Sequence, residues 1–170
     1  MANATLQELR AKTDAAWAKL TRQLDGMEPH LDRGDAPGEW TARETLSHLL
    51  GPDSPGFVDL LRTFSRTDYP LFELQPADTA LTPVRERMTL AELVGALDAQ
   101  RQDAYAYLES LPDATDLTER KLRVPLFKPF MGTDEVSLAM FVGAMLDFHW
   151  NDHASQLAKI RRVAGLSQAT

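Results

Sequence analysis

The stretch DEVSLAMFVGAMLDFHWNDHASQLAKIRRVA, residues 134–164, carries the strongest fold signal in the chain. Its apolar residues recur at intervals of three and four, which is typical of one face of an amphipathic helix. Acidic residues open the stretch and a pair of arginines closes it, as the helix dipole favours. We expect a single helix over residues 134–164, with an inward face that contains Leu138, Val142, Met145, Gln156 and Ile160.

Three further helices are predicted upstream of this stretch. Residues 5–24 carry apolar side chains at helical spacing and end at an Asp-Gly pair, a usual helix stop. Two Thr-x-x-Glu capping boxes, which begin at Thr41 and Thr89, predict the starts of the second and third helices. The segment GPDSPG, residues 51–56, interrupts the second helix, because proline cannot donate a backbone hydrogen bond.

The connections between these helices complete the fold prediction. Residues 68–88 show no hydrophobic period and contain three prolines, so they are predicted to form a long crossing connection. Residues 112–133 are also irregular, and within them residues 122–130 are expected to pair briefly as extended chain. The predicted fold class is all-α, a four-helix bundle with a long crossover connection, formed by a single domain over residues 1–170.

Composition excludes several classes of protein. The 170 residues are 44% apolar and 25% charged, as in an ordinary globular protein, and the formal net charge is −7. An acidic chain without a basic run is a poor nucleic-acid or membrane binder. The N-terminal stretch lacks the features of a secretion signal, so we expect a cytoplasmic protein. Because the chain has no cysteine, thiolate metal sites and a cysteine nucleophile are excluded.

Histidines are the unusual residues on the predicted inward faces. His149 and His153 lie four positions apart, so they project from one face of the last helix on successive turns. His48 lies on the second helix. Three imidazoles from two facing helices can bind a divalent cation and leave a coordination position open, as catalytic metal sites do.

A different interpretation stays open at this point. An HxxxH pair is a weak motif, and the three residues can instead be core histidines. Each imidazole would then be hydrogen-bonded to a carbonyl or to a carboxylate such as Asp147 or Asp152. Buried imidazole nitrogens without partners are costly, and this favours a metal.

Other polar and aromatic residues receive narrower predictions. We expect His30 to be a solvated surface residue and Trp40 to pack at the start of the second helix against Thr45. Asp53 and Asp152 are candidate acceptors for the second ring N–H of a ligating histidine, although each is more often an ordinary polar residue. Further candidates are the arginines at 43 and 123, which could hold an anionic substrate.

Two motifs resemble the DinB-like superfamily of bacterial metalloproteins. WTARETLSHL, residues 40–49, is similar to its W-x(n)-E-x-L-x-H-L element, and FHWNDHASQL, residues 148–157, to its H-x3-H-x2-Q element. The resemblance implies a four-helix bundle with a tri-histidine site for a divalent metal, usually zinc or nickel. By position, the three metal ligands would be His48, His149 and His153. Members are often dimeric, and characterised relatives include transferases and isomerases that depend on low-molecular-weight thiols such as bacillithiol and mycothiol.

Two functions from different classes are compatible with the sequence. The first is a metal-dependent enzyme, a thiol-dependent S-transferase or a hydrolase, in which the cation activates a thiol or water against a small electrophile. The second is a bundle without catalytic activity that binds a small ligand or another protein. The absence of a recognisable acid or base beyond the histidines favours the second, and no catalytic residue can be assigned. The expected partners are a small-molecule substrate and, by resemblance, a second copy of the chain.

Overall fold

Four helical segments form a bundle in the computed structural model, which describes residues 4–168. Residues 1–3 and 169–170, which include the start of the stretch considered as a secretion signal and both ends of the predicted domain, lie outside the described residues. The helices and strands are α1 (Ala4–Leu24), α2 (Ala42–Leu50), α3 (Phe57–Arg62), α4 (Leu90–Glu109), α5 (Asp116–Glu119), β1 (Lys121–Arg123), α6 (Lys128–Met131), β2 (Glu135–Ser137), α7 (Leu138–Gly143) and α8 (His149–Val163).

The packing of the helices confirms a four-helix bundle with a long crossover. The last helix of the bundle consists of α7, a wide turn and α8. α1 packs against the last helix and against α4, and α2 packs against the same two neighbours. The consecutive helices α1 and α2 therefore lie diagonally across the bundle, and α2 faces the helix that carries the paired histidines.

Both predicted capping boxes are confirmed. The hydroxyl of Thr41 accepts the backbone N–H of Glu44, and the Glu44 carboxylate accepts the backbone N–H of Thr41 at 2.8 Å. Thr89 and Glu92 make the same reciprocal pair at the start of α4. Each box satisfies backbone donors that a helix start leaves free, which fixes the first turn of α2 and, with it, the position of His48 two turns later.

The predicted start of the last helix is wrong by four residues. Residues 135–137 form strand β2, which pairs antiparallel with β1. The helix begins at Leu138 because Ser137 has extended backbone angles and its hydroxyl accepts the backbone N–H of Met140. The acidic residue at 134 therefore precedes a strand and that at 135 is its first residue, so neither lies in a first helical turn.

The last helix also contains a wide turn that periodicity did not predict. Residues Ala144–Phe148 form a π-helical turn, and the backbone N–H of His149 donates to the carbonyl of Ala144, five residues back. Such a turn accommodates one extra residue and changes the direction of the side chains that follow. It lies immediately before His149 and so helps to decide where that imidazole points.

The connection after α4 is more structured than predicted. Of residues 122–130, which were expected to be extended, only 122 and 123 lie in a strand, β1. Pro125–Phe127 and Lys128–Met131 form short helical turns. The crossover after α3 runs beside β1, where Phe72 donates its backbone N–H to the carbonyl of Arg123. These segments meet along one side of the bundle and supply part of the wall of the cavity described below.

The bundle interior is apolar and closely packed. Trp150 and Phe141 of the last helix and Leu20 of α1 are fully buried. Trp150 packs against Trp17, with ring centroids 5.5 Å apart. Among residues 4–168, none of the helices combines the length and apolar composition needed to cross a membrane.

Asp116 is a buried carboxylate that joins two parts of the connecting chain. Its side chain is 2% exposed and accepts hydrogen bonds from Arg120 and from Arg66, the latter at 2.7 Å. The hydrogen bond from Arg120, and then that from Arg66, lowers the pKa of Asp116 below its usual value. The charged form is therefore the one that stabilises the fold.

We predict that Asp116→Asn lowers the free energy of unfolding at pH 7 by about 1.5–3 kcal/mol, the usual value of hydrogen bonds to a charged group. Because the pKa is lowered by folding, this difference from wild type persists above about pH 5 and shrinks as the pH falls below about 4. Urea unfolding of both proteins across this pH range measures it. Asp113→Asn, which removes an exposed partner of Arg66, is the control and should change stability little.

Candidate metal centre

The three predicted histidines come together between α2 and the last helix. The Nε2 atom of His149 lies 3.0 Å from Nε2 of His48 and 2.9 Å from Nε2 of His153. All three ligand atoms lie within 4.8 Å of one another. Residues about 100 positions apart in sequence thus present three imidazole nitrogens to one point.

Two hydrogen bonds set the tautomers of His48 and His153, the two histidines on either side of His149. Nδ1 of His48 lies 2.6 Å from the backbone oxygen of Asp78, and Nδ1 of His153 lies 2.8 Å from Oε1 of Gln156. Since a carbonyl or amide oxygen only accepts, we assign the ring proton to Nδ1 in both residues. Nε2 of each then carries a lone pair that points toward His149.

This arrangement cannot be satisfied by hydrogen bonds among the histidines alone. A proton on Nε2 of His149 can form a good hydrogen bond to Nε2 of only one of its two neighbours. The lone pair on Nε2 of the other neighbour is then left without a donor. A cation at the centre would accept all three lone pairs at once. The donor set therefore fits a divalent metal, for which neutral imidazole with its second N–H hydrogen-bonded is a common ligand.

Burial favours the neutral form of the two imidazoles on the last helix. Burial, together with the smaller effects of the neighbouring His153 and His48, lowers the pKa of His149 to about 3. The pKa of His153 is also lowered, mainly by burial, while the hydrogen bond to Gln156 opposes the shift. Neutral imidazole is the form that binds metals.

Trp40, directly before the N-cap of α2, lies against two of the histidines. Its ring is 4.8 Å from that of His48 and nearly parallel to that of His153, with centroids 6.2 Å apart. Thr45, against which Trp40 was expected to pack, donates its hydroxyl to the backbone oxygen of Thr41. Trp40 therefore restricts the positions of two imidazoles and forms part of the wall of the site.

Neither predicted carboxylate acceptor holds a histidine. Asp53 accepts a hydrogen bond from Arg85 at 2.5 Å, and Asp152 is exposed beside the site. Asp147, the other carboxylate considered, accepts a hydrogen bond from Asn151. The observed acceptors are the Asp78 carbonyl and Gln156. Gln156 belongs to the H-x3-H-x2-Q motif, whereas a backbone carbonyl in an aperiodic loop has no sequence signal.

Arg85 fixes the loop that supplies the Asp78 carbonyl. Its side chain is buried and donates to the backbone oxygens of Gly51 at 2.6 Å and Ala80 at 2.9 Å. Ser47, the residue before His48, also donates its hydroxyl to the Ala80 carbonyl. These bonds hold the end of α2 against the loop, which keeps the acceptor of His48 in place.

The remaining candidates lie away from the cluster. His30 is half-buried in the short helical turn Glu28–His30. Arg43 is paired with Asp32 and also donates to the backbone oxygen of Arg85, and Arg123 on β1 is paired with Asp134. Their charges are used within the fold, so neither arginine is placed to hold an anionic substrate at the histidines.

Two cavities adjoin the histidines. The larger, which we call the outer cavity, has a volume of about 570 Å³ and is lined by all three histidines and Trp40. The smaller has a volume of about 260 Å³, is lined by His48, His149 and Trp150, and extends toward α3. The open side of the cluster therefore faces space large enough for a small molecule.

Comparisons with known proteins agree with the fold. No protein-family model and no curated protein matches the chain. Among solved structures the chain is similar to YfiT from Bacillus subtilis, described as a probable metal-dependent hydrolase with an unusual four-helix bundle topology. The TM-score is 0.67 at 19% sequence identity, and the match covers 98% of this chain and 91% of that chain. This likeness confirms the predicted fold, a four-helix bundle.

We predict that the purified protein, prepared without a histidine tag, binds about one equivalent of zinc or nickel per chain and that His149→Ala abolishes this binding. The substitution removes the nitrogen that contacts both other imidazoles. Inductively coupled plasma mass spectrometry measures the metal content. His30→Ala is the matched control and should retain the metal, while equal metal in the His149→Ala protein would contradict the assignment.

Gln156→Met should weaken metal binding by about 10- to 100-fold without preventing it, because it removes the acceptor that orients His153. A chelator competition titration gives the dissociation constants. Gln102→Met, at an exposed position on α4, serves as the control. Unchanged affinity in the Gln156 variant would show that the hydrogen bond does not support the ligand.

Proposed function

We propose that the protein is a metal-dependent hydrolase of small electrophilic substrates, with His48, His149 and His153 as the metal ligands. The observation that carries this proposal is the convergence of three imidazole nitrogens at the end of a cavity of about 570 Å³. The similarity of fold to YfiT, a probable metal-dependent hydrolase, is consistent with it.

Three protein ligands favour a catalytic site over a structural one. Structural zinc sites in proteins usually have four protein ligands and are closed, whereas catalytic sites leave a position for water or substrate. In residues 4–168 the group of histidines, cysteines and acids that could hold a metal contains three residues. Because all three histidines line the outer cavity, water or a substrate there would have access to a metal that they hold.

A divalent cation in this site would polarise a substrate carbonyl and lower the pKa of bound water to about 7. The protein's own groups act on geometry and access. The Asp78 carbonyl and Gln156 hold two imidazoles with Nε2 directed inward. Trp40 covers the histidines from one side, and the apolar wall of the outer cavity limits the access of bulk water to the bound substrate.

A thiol-dependent S-transferase is the second candidate. The chain contains no cysteine, so any thiol in the reaction would come from a small molecule, and the outer cavity has room for more than water. Zinc and nickel are both proposed cofactors, since imidazole ligands suit either metal. The proposed partner is a small-molecule substrate, and a homodimer stays a proposal from the resemblance.

The proposed activity is tested with zinc-loaded and nickel-loaded protein and p-nitrophenyl acetate as a neutral ester, with and without an added low-molecular-weight thiol. We expect turnover that is removed by a chelator, restored by the metal and absent in His149→Ala. His30→Ala should behave as wild type. Release of p-nitrophenol only with the thiol, together with a thioester product, would favour the transferase.

A failure of this test has a clear meaning. If the protein binds one equivalent of metal but turns over the ester neither alone nor in the presence of the thiol, the enzyme proposal fails. The bundle would then act as a ligand-binding module whose metal takes no part in turnover.

A further inference from the structure

We propose that the substrate carries an uncharged apolar arm in addition to its reacting group, and that this arm lies in the outer cavity. A medium-length acyl chain or an aromatic ring would be such an arm. This inference rests on the proposed function for the reacting group only. The arm itself is inferred from the cavity wall and can be tested by binding without turnover.

The wall of the outer cavity is almost entirely apolar. Aromatic and aliphatic side chains come from four separate segments: the loop before α2, the crossover, the turns at 125–131 and the wide turn before His149. The main contributors are Trp40, Leu74, Phe127, Phe130, Met145 and Phe148. The volume of about 570 Å³ is within the range typical of sites for drug-sized ligands. A hydrophobic arm would be desolvated over most of its length.

The wall of the outer cavity has almost no charged groups that could pair with a charged arm. Among the residues that line the outer cavity there is no lysine or arginine, and the single carboxylate is that of Asp152, which is exposed at its edge. An anionic arm would find no cation away from the metal, and burial of a charge without a partner is costly. A cationic arm would have one exposed carboxylate for compensation. A neutral arm meets neither cost.

Exposed hydrophobic side chains concentrate at the mouth of this cavity. Eight large hydrophobic residues are exposed in the described chain, and four of them line the outer cavity: Leu126, Phe130, Met131 and Phe148. Phe130 is 81% exposed and Phe148 is 78% exposed. Single exposed hydrophobic residues are normal on proteins, but a cluster at one cavity indicates a binding surface. An arm that extends out of the cavity would cover these rings.

The backbone directs both phenylalanines to the mouth. Phe130 lies on α6, which ends at Gly132 with φ +75°, a left-handed conformation that reverses the chain after one turn. Phe148 is the last residue of the wide turn, directly before His149. The wide turn thus leaves Phe148 exposed beside the cavity while the next residue points to the metal site.

A small molecule explains this cluster better than a second protein chain does. The apolar surface is not a flat patch but continues inward to the histidines and Trp40. A protein surface would cover the four exposed side chains and leave the interior of the cavity unfilled. Dimerisation through this face is therefore an outcome of the test rather than the inference.

The test uses isothermal titration calorimetry with primary n-alkyl amides from butanamide to octanamide on the zinc-loaded protein. We expect the affinity to rise about three- to fourfold for each added methylene, the value for transfer of a methylene group out of water. Amides whose arm ends in a carboxylate or a trimethylammonium group should bind at least about tenfold more weakly than the uncharged amide of equal length, because a charge is costly to bury.

Variants locate the arm. In the double variant Phe130→Ala/Phe148→Ala, the increase in affinity for each added methylene should fall clearly below that of wild type for the longer amides. The matched control is Leu71→Ala/Val84→Ala, which truncates two exposed side chains outside the outer cavity and should retain the wild-type gain. All four truncated side chains are exposed, so folding should be preserved.

Several results would overturn the inference. These are affinities independent of chain length, preference for a charged arm, or the same gain per methylene in both double variants. A wild-type dimer that the Phe130→Ala/Phe148→Ala change converts to a monomer, with no amide binding in either, would assign the mouth to a second copy of the chain. Length-dependent amide binding by a protein that hydrolyses no ester would leave this inference intact and reject only the hydrolase proposal.

Discussion

At the contact between α2 and the last helix, three imidazoles bring their ligand nitrogens together at one point. Nε2 of His149 lies within 3.0 Å of Nε2 of both other histidines. Because His48 and His153 each carry their ring proton on Nδ1, hydrogen bonds alone cannot satisfy both contacts. A cation bound by all three nitrogens would resolve this conflict. The diagonal placement of α1 and α2 is what allows it, because α2 then faces the helix that carries the paired histidines.

Much of the surrounding structure maintains this geometry. The capping box at Thr41 fixes the start of α2, and buried Arg85 ties the end of that helix to the loop that accepts from His48. On the other side, Gln156 and the wide turn before His149 set the two imidazoles of the last helix. Several polar groups and one irregular turn thus serve the orientation of three side chains.

The sequence predicted the features that local chemistry decides. Capping boxes and periodic apolar residues gave the helix starts at Thr41 and Thr89, and spacing placed the paired histidines on one face. The prediction from sequence failed where contacts between distant residues determine the local structure. Residues 135–137 are a strand because they pair with residues 121–123, and the wide turn has no local signature. The acceptor of His48 is a backbone carbonyl, which any residue at that position would supply.

Anomalous X-ray diffraction at the zinc absorption edge, from crystals of the zinc-loaded protein, shows directly whether the three histidines bind one metal. We predict one strong anomalous peak at about 2.0–2.1 Å from Nε2 of each of the three histidines, with a further position open to the outer cavity. A peak elsewhere, or no peak between His48, His149 and His153 in a protein that has been exposed to zinc, would contradict the tri-histidine metal site.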